Sequence, residues 1–200
     1  MAITPDGQRA VSASYDRTLR IWDLASGATL RTLEGHIDSV RAVAVTPDGQ
    51  RAVSTSDDRT LKIWDLASGG TLRTLEGHTD WVNAVATTPD GQRAVSASRD
   101  RTLRIWNLAS GATLRTLEGH TGWVSAVALT PDGQRAVSAS ADGTVRAWDL
   151  GTGESIATFS TDAPATCSAI APDGLIIVAA DQGGHVHFLR WENYASRDDA

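Results

Sequence analysis

Serine, histidine and aspartate recur together in this chain: His36, Ser54 and Asp58, then His78, Ser96 and Asp100, then His120, Ser138 and Asp142. A hydroxyl, an imidazole and a carboxylate are the parts of an activated nucleophile, in which the imidazole takes the proton and the carboxylate orients the imidazole. A hydrolytic centre is assembled once, in a cleft with donors for an oxyanion. Here the trio returns in register, each time followed by a tryptophan: Trp64, Trp106 and Trp148. Recurrence in every unit assigns the trio to architecture, and no catalytic residue is expected.

Other chemistry is weaker still. His185 and His187 put two imidazoles on one face of a strand, the start of a zinc site, but no third ligand of suitable spacing accompanies them and no metal is expected. The acidic "PDG" and "DDR" turns lack the spaced oxygens of a calcium loop, and no glycine-rich phosphate cradle occurs, so no cofactor is expected. Cys167 is the only cysteine, which excludes an internal disulfide and fits a reducing, cytoplasmic setting. The net charge of -6, with arginines scattered among carboxylates, argues against nucleic acid. There is no long apolar run and no basic, then apolar leader, so no membrane partner is expected.

The residues are positioned by a repeat. "TPDGQRAVSAS" begins at Thr4 and returns at Thr46, Thr88 and Thr130, a constant step of 42 residues, and segments 35–76 and 77–118 agree at 33 of 42 positions. Within a unit, short apolar runs such as "VRAVAV", "RAVSTS", "LKIWD" and "TLRTL" are separated by turn-forming "TPDGQ", "SDDRT" and "LASGG". None sustains a helical period. Four strands repeating every 40 to 45 residues define a blade of a β-propeller. The fold class is therefore all-β, a propeller of four-stranded antiparallel blades over residues 1–200, with about five blades near 1–33, 34–75, 76–117, 118–159 and 160–200 and the last divergent. Folding at this length buries about 70% of the unfolded chain's surface. Val, Ala, Ile and Trp occur on both parities of the strands, as expected where stacking buries both faces of each sheet.

Gly35-His36 before the first strand, Ser54 in the second, Asp58 in the following turn and Trp64-Asp65 closing the third together resemble the WD-repeat family. The resemblance covers nearly the whole chain. It implies strands a to d running outward from the axis, and hydrogen-bonded structural tetrads of His36, Ser54, Asp58 and Trp64; His78, Ser96, Asp100 and Trp106; and His120, Ser138, Asp142 and Trp148. The first unit keeps Ser12, Asp16 and Trp22 without the Gly-His. The last, aligned on Pro172, carries Ala179, Gly183 and Leu189 at the Ser, Asp and Trp positions, and Trp191 falls out of register.

The near-identity of the units lets the chain be compared with itself. The b–c turn reads Tyr15, Asp57, Arg99, Ala141; the start of strand a reads Ser39, Trp81, Trp123; and Arg41 becomes Asn83. If strand a descends from the d–a loop, these positions share one rim. A diversified rim over a constant scaffold is how a binding face on a repeat protein reads, with Trp and Arg as anchors. Tyr15, Ser39, Arg41, Asp57, Trp81, Asn83, Arg99 and Trp123 are accordingly expected to bind other proteins.

The chain begins inside a strand a, and "NYASRDDA" does not read as a closing strand d, so an incomplete ring with an exposed edge is expected. This implies either a longer propeller or closure by homo-oligomerisation. The uniform tandem units and divergent ending resemble the C-terminal propellers of bacterial multidomain signalling proteins, which implies a sensor or scaffold role. A structural self-assembly module is the alternative.

Overall fold

The computed structural model describes residues 1–191. They form five antiparallel sheets, four with four strands and one with three, each with its strands in sequence order from first to last. The second blade is representative: strand a is Val40–Val45, b is Arg51–Ser56, c is Leu61–Asp65 and d is Thr71–Leu75. Successive blades pack through their a strands, which places a at the axis and the exposed "TLRTL" strand d at the circumference. The segment 193–200, expected not to supply a closing strand, lies outside the described residues.

Turn chemistry sets the strand register. In "TPDGQ" the Thr46 hydroxyl donates to Asp48 at 2.6 Å, Asp48 accepts the Gln50 amide at 3.0 Å, and Gly49 takes φ of 69°, which suits a residue without Cβ. The motif returns in every full unit, so the a–b hairpins are near copies.

Both faces of the three middle sheets are buried, and the core is a stack of layers between blades. In the first layer Val11, Leu19, Ile21 and Leu33 of blade 1 receive Ala52, Trp64 and Leu66 of blade 2. The next two layers repeat this with Trp106 and Trp148. Each blade thus projects an indole from one face and offers an aliphatic seat on the other. The last layer departs from the pattern: Leu189 stands at the indole position and Ala147 at that of Ile63 and Ile105. A pocket of about 150 Å³ opens there, lined in part by Val137, Ala147, Ile177, Leu189 and Trp191. The result is an incomplete propeller of about five blades.

Candidate functional site

The tetrads form from elements that the repeat brings together. His36 sits in the d–a loop, Ser54 in strand b, Asp58 in the b–c turn and Trp64 in strand c. His36 Nδ1 lies 2.7 Å from Asp58 Oδ2, His36 Nε2 lies 2.7 Å from Ser54 Oγ, and Trp64 Nε1 donates to Ser54 Oγ at 2.8 Å. A carboxylate only accepts, so Nδ1 donates to Asp58; Nε2 then accepts from the serine hydroxyl, which itself accepts from the indole. The same chain of bonds links His78, Ser96, Asp100 and Trp106, and His120, Ser138, Asp142 and Trp148.

These are the connections of a hydrolytic triad, yet a substrate has no access. Ser54, Ser96 and Ser138 are all 0% exposed, and the indole already occupies the oxygen that would attack. Gly35 completes the packing: at φ of 155°, a Cβ there would meet the Trp64 ring at 3.2 Å.

The acidic member is held ionised. Burial pushes the Asp58 carboxyl up, but hydrogen bonds from His36 and Thr60 outweigh it and hold it well below the usual range. Asp100 behaves alike, with burial outweighed chiefly by His78. In Asp142, burial is outweighed by Thr144, the Thr121 amide and His120, and its pKa falls to about 2. Burial pushes His120 below its ordinary 6.5, aided by the Arg146 charge, against the pull of Asp142.

The pH dependence follows from these directions. A histidine whose pKa is lower folded than unfolded contributes stability that is full above pH 6.5 and drains away as pH falls. Asp142 works in the same direction lower down: its contribution is present above 3.8 and lost as pH falls toward about 2. The urea midpoint is expected to be level above about pH 7 and to fall first below about pH 6.5, then again below about pH 4. A midpoint that rises on acidification contradicts this assignment.

The tetrads lie beneath the rim they support. Asp58 Oδ2 also accepts the Ile37 amide at 3.2 Å, and the Asp57 amide donates to Ser39 O at 2.9 Å, so the d–a loop and b–c turn are tied side by side. All eight variable positions come together on this edge. Arg41 forms a two-bond ion pair with Asp57, Nε to Oδ1 at 2.6 Å and Nη2 to Oδ2 at 2.7 Å. Its guanidinium lies 5.2 Å from the Tyr15 ring and 4.9 Å from that of Trp81. Arg99, at the register of Asp57, lies 4.0 Å from the Trp81 ring and 4.5 Å from that of Trp123. Tyr15, Arg41, Trp81, Arg99 and Trp123 thus form one alternating ladder of aromatic rings and guanidinium groups across four blades. Asn83 donates to Val124 O at 2.9 Å, joining blade 3 to blade 4. Tyr15 and Trp123 are 72% and 52% exposed, so the ladder's ends face solvent.

Sequence reasoning did not pair these residues, and it missed a row of arginine contacts and the carboxylate that joins the His185–His187 pair. Arg9, Arg51 and Arg93 reach Gly49, Gly91 and Gly133 of the following blade at 3.4, 3.1 and 3.3 Å, stapling the opposite rim. The recurrence of an arginine after "TPDGQ" was the available signal. In blade 5, His187 Nε2 lies 3.0 Å and His185 Nδ1 3.3 Å from Asp181 Oδ2, which is drawn down to about 2 first by His187. Asp181 occupies the register of Ser56, a substitution without precedent in the other units. Among the described residues no group of three or more His, Cys, Asp or Glu side chains is arranged to hold a metal ion.

An open propeller whose blades are fastened by buried His–Ser–Asp–Trp tetrads defines a class of repeat scaffold. The model of the family described as "WD domain, G-beta repeat" matches residues 1–23, 27–65, 69–107 and 111–149, and the chain belongs to that family. Among curated proteins it is similar to "Dynein assembly factor with WD repeat domains 1" of Danio rerio, 50% identical over 44 residues, and to its Homo sapiens counterpart, 48% identical over 44 residues. Each match covers 22% of this chain and 11% of the relative, little more than one repeat.

Proposed function

We propose that this chain is a protein-interaction scaffold, not an enzyme, and that partners dock on the rim formed by the d–a loops and b–c turns. The observation that carries the reading is the ladder from Tyr15 to Trp123. It gathers the most variable positions of otherwise near-identical units into one continuous strip. Flat rings and stacked guanidinium groups offer large contact area with few rotatable bonds left to freeze, which is why Trp, Tyr and Arg dominate interface energetics. The tetrads contribute preorganisation by fixing loop to turn before a partner arrives. The similarity to a protein named as an assembly factor supports the same general role.

The proposal extends to a cytoplasmic setting, supported by the lone free thiol of Cys167, and to a sensor role within a bacterial signalling protein, supported by the uniform tandem repeats.

A photo-crosslinking amino acid tests the location. Placed at Thr79, exposed on the ladder rim, it is expected to give partner adducts from a cell extract; at Gln92, exposed on the opposite rim, it is not. Adducts from Gln92 alone would move the interface to the other side of the propeller.

A further inference from the structure

The two guanidinium groups of the ladder differ in what they bond. Arg41 is satisfied within the chain: its Nε and Nη2 bond to Asp57 at 2.6 and 2.7 Å, and its Nη1 donates to the Tyr15 hydroxyl at 3.3 Å. Arg99 has no counterpart of that arrangement. It stands itself at the register of Asp57, and Asn83, at the register of Arg41, bonds to Val124 O instead. The Arg99 amide donates to Trp81 O at 2.8 Å, which holds the turn beside the indole. Among the described residues its side chain makes no ion pair and no hydrogen bond. Its guanidinium lies over the rings of Trp81 and Trp123, at 4.0 and 4.5 Å. A planar guanidinium covered on its faces offers its edge, where all its N–H donors lie.

The charge around Arg99 points the same way. Its turn reads Arg99-Asp100-Arg101: the Asp100 carboxylate faces inward to His78 at 2.7 Å, whereas Arg101 is exposed. The turns Tyr15-Asp16-Arg17, Asp57-Asp58-Arg59 and Ala141-Asp142-Gly143 each carry one cation or none. Arg101 is held at φ of 70°, a left-handed conformation that Gly143 takes at 74° in the next unit without a steric penalty. On the blade 4 side, Gly122 stands where the two preceding units carry Asp38 and Asp80. Blade 3 thus turns two cations outward and its carboxylate inward.

We propose that the rim recognises an acidic peptide, with the carboxylate of an Asp or Glu side chain docking edge-on to Arg99 between the two indoles. This rests on the reading of the rim as the binding face. The chain shows the chemistry one junction away, where the Asp57 carboxylate meets Arg41 through two bonds. A partner supplies at Arg99 what Asp57 supplies at Arg41. The flanking rings keep water from the faces of the guanidinium without competing for its donors. A carboxylate is therefore held more strongly there than at a bare surface arginine, and a neutral amide of the same shape brings no charge to exploit the site.

An array of random peptides provides the test, each attached through its C-terminus so that no free terminal carboxylate is present. The whole chain is applied to it. Peptides whose signal disappears with the Trp81→Ala, Trp123→Ala variant are the rim ligands, and they are expected to be enriched in Asp and Glu. Fluorescence anisotropy then compares the strongest acidic peptide with its Gln or Asn isostere. The isostere is expected to bind the wild-type chain about tenfold more weakly or worse. Arg99→Gln is expected to bind the two peptides alike. A merely structural role for Arg99 would weaken both and leave their ratio unchanged. Circular dichroism establishes that the variants are folded, and Arg99→Met replaces Arg99→Gln if that variant is not. If no peptide depends on the two tryptophans, the reading of the rim fails and this inference with it. If rim ligands show no enrichment in Asp and Glu, or the ratio survives in Arg99→Gln, the inference is overturned while the rim remains the binding face.

Discussion

Replacing Trp106 by alanine is expected to lower stability by about 3–5 kcal/mol, the largest loss of any single substitution considered. Trp106 is 0% exposed, its ring packs in the layer with Val53, Leu61, Ile63 and Leu75 of the preceding blade, and its indole nitrogen bonds to Ser96 at 2.8 Å. Truncation removes the packing, leaves a void between two blades, and deprives the Ser96 oxygen of a donor. Blade 5 shows the consequence in miniature, for a pocket of about 150 Å³ opens where Leu189 and Ala147 stand in for larger side chains. Against a total stability of about 5–15 kcal/mol, such a loss is a large fraction. Urea unfolding followed by circular dichroism measures it. Trp22→Ala is the internal control: its indole makes the same 2.8 Å bond, to Ser12, but no blade among the described residues covers it, and its loss is expected to cost less than half as much. Equal losses at the two positions would show that the seat on the neighbouring blade contributes little.

How far the sequence could be read depends on the range of each interaction. The blade was legible because its turns are local: a proline, an aspartate and a glycine at fixed offsets set each a–b hairpin. The tetrad members were legible through the resemblance to the WD-repeat family, because all four lie within one 42-residue unit and so could be matched residue by residue. Which nitrogen of His36 faces Asp58 was not, because that depends on how the loop meets the turn. The ladder lay further out of reach. Its five members were among the eight positions picked out by comparing units, but stacking Arg99 between Trp81 and Trp123 joins side chains from two blades. The exchange of the Arg41–Asp57 ion pair for that stack is a change of partners across a junction, invisible to any position taken alone. The difference in burial between Leu24, 46% exposed, and Leu66, 2% exposed, was hidden for the same reason. Leu24 and Leu66 have the same sequence context, and only the presence or absence of a neighbouring blade separates them.

The second large effect concerns binding. Arg99 lies 4.0 and 4.5 Å from two indole rings, and the ladder continues through Arg41 to Tyr15. Each guanidinium–ring contact is worth about 0.5–1 kcal/mol within the exposed rim. Removing the stack therefore costs the fold little, because the tetrads and the blade layers beneath are untouched. An interface anchored by such residues loses much more: truncating two hot-spot residues of about 2 kcal/mol each weakens binding roughly 700-fold. The most direct measurement is partner capture by the Trp81→Ala, Arg99→Ala, Trp123→Ala triple variant beside the wild-type chain, with the thermal midpoint of each recorded. The account predicts capture reduced roughly 700-fold with the fold retained. Undiminished capture by a folded triple variant would contradict it.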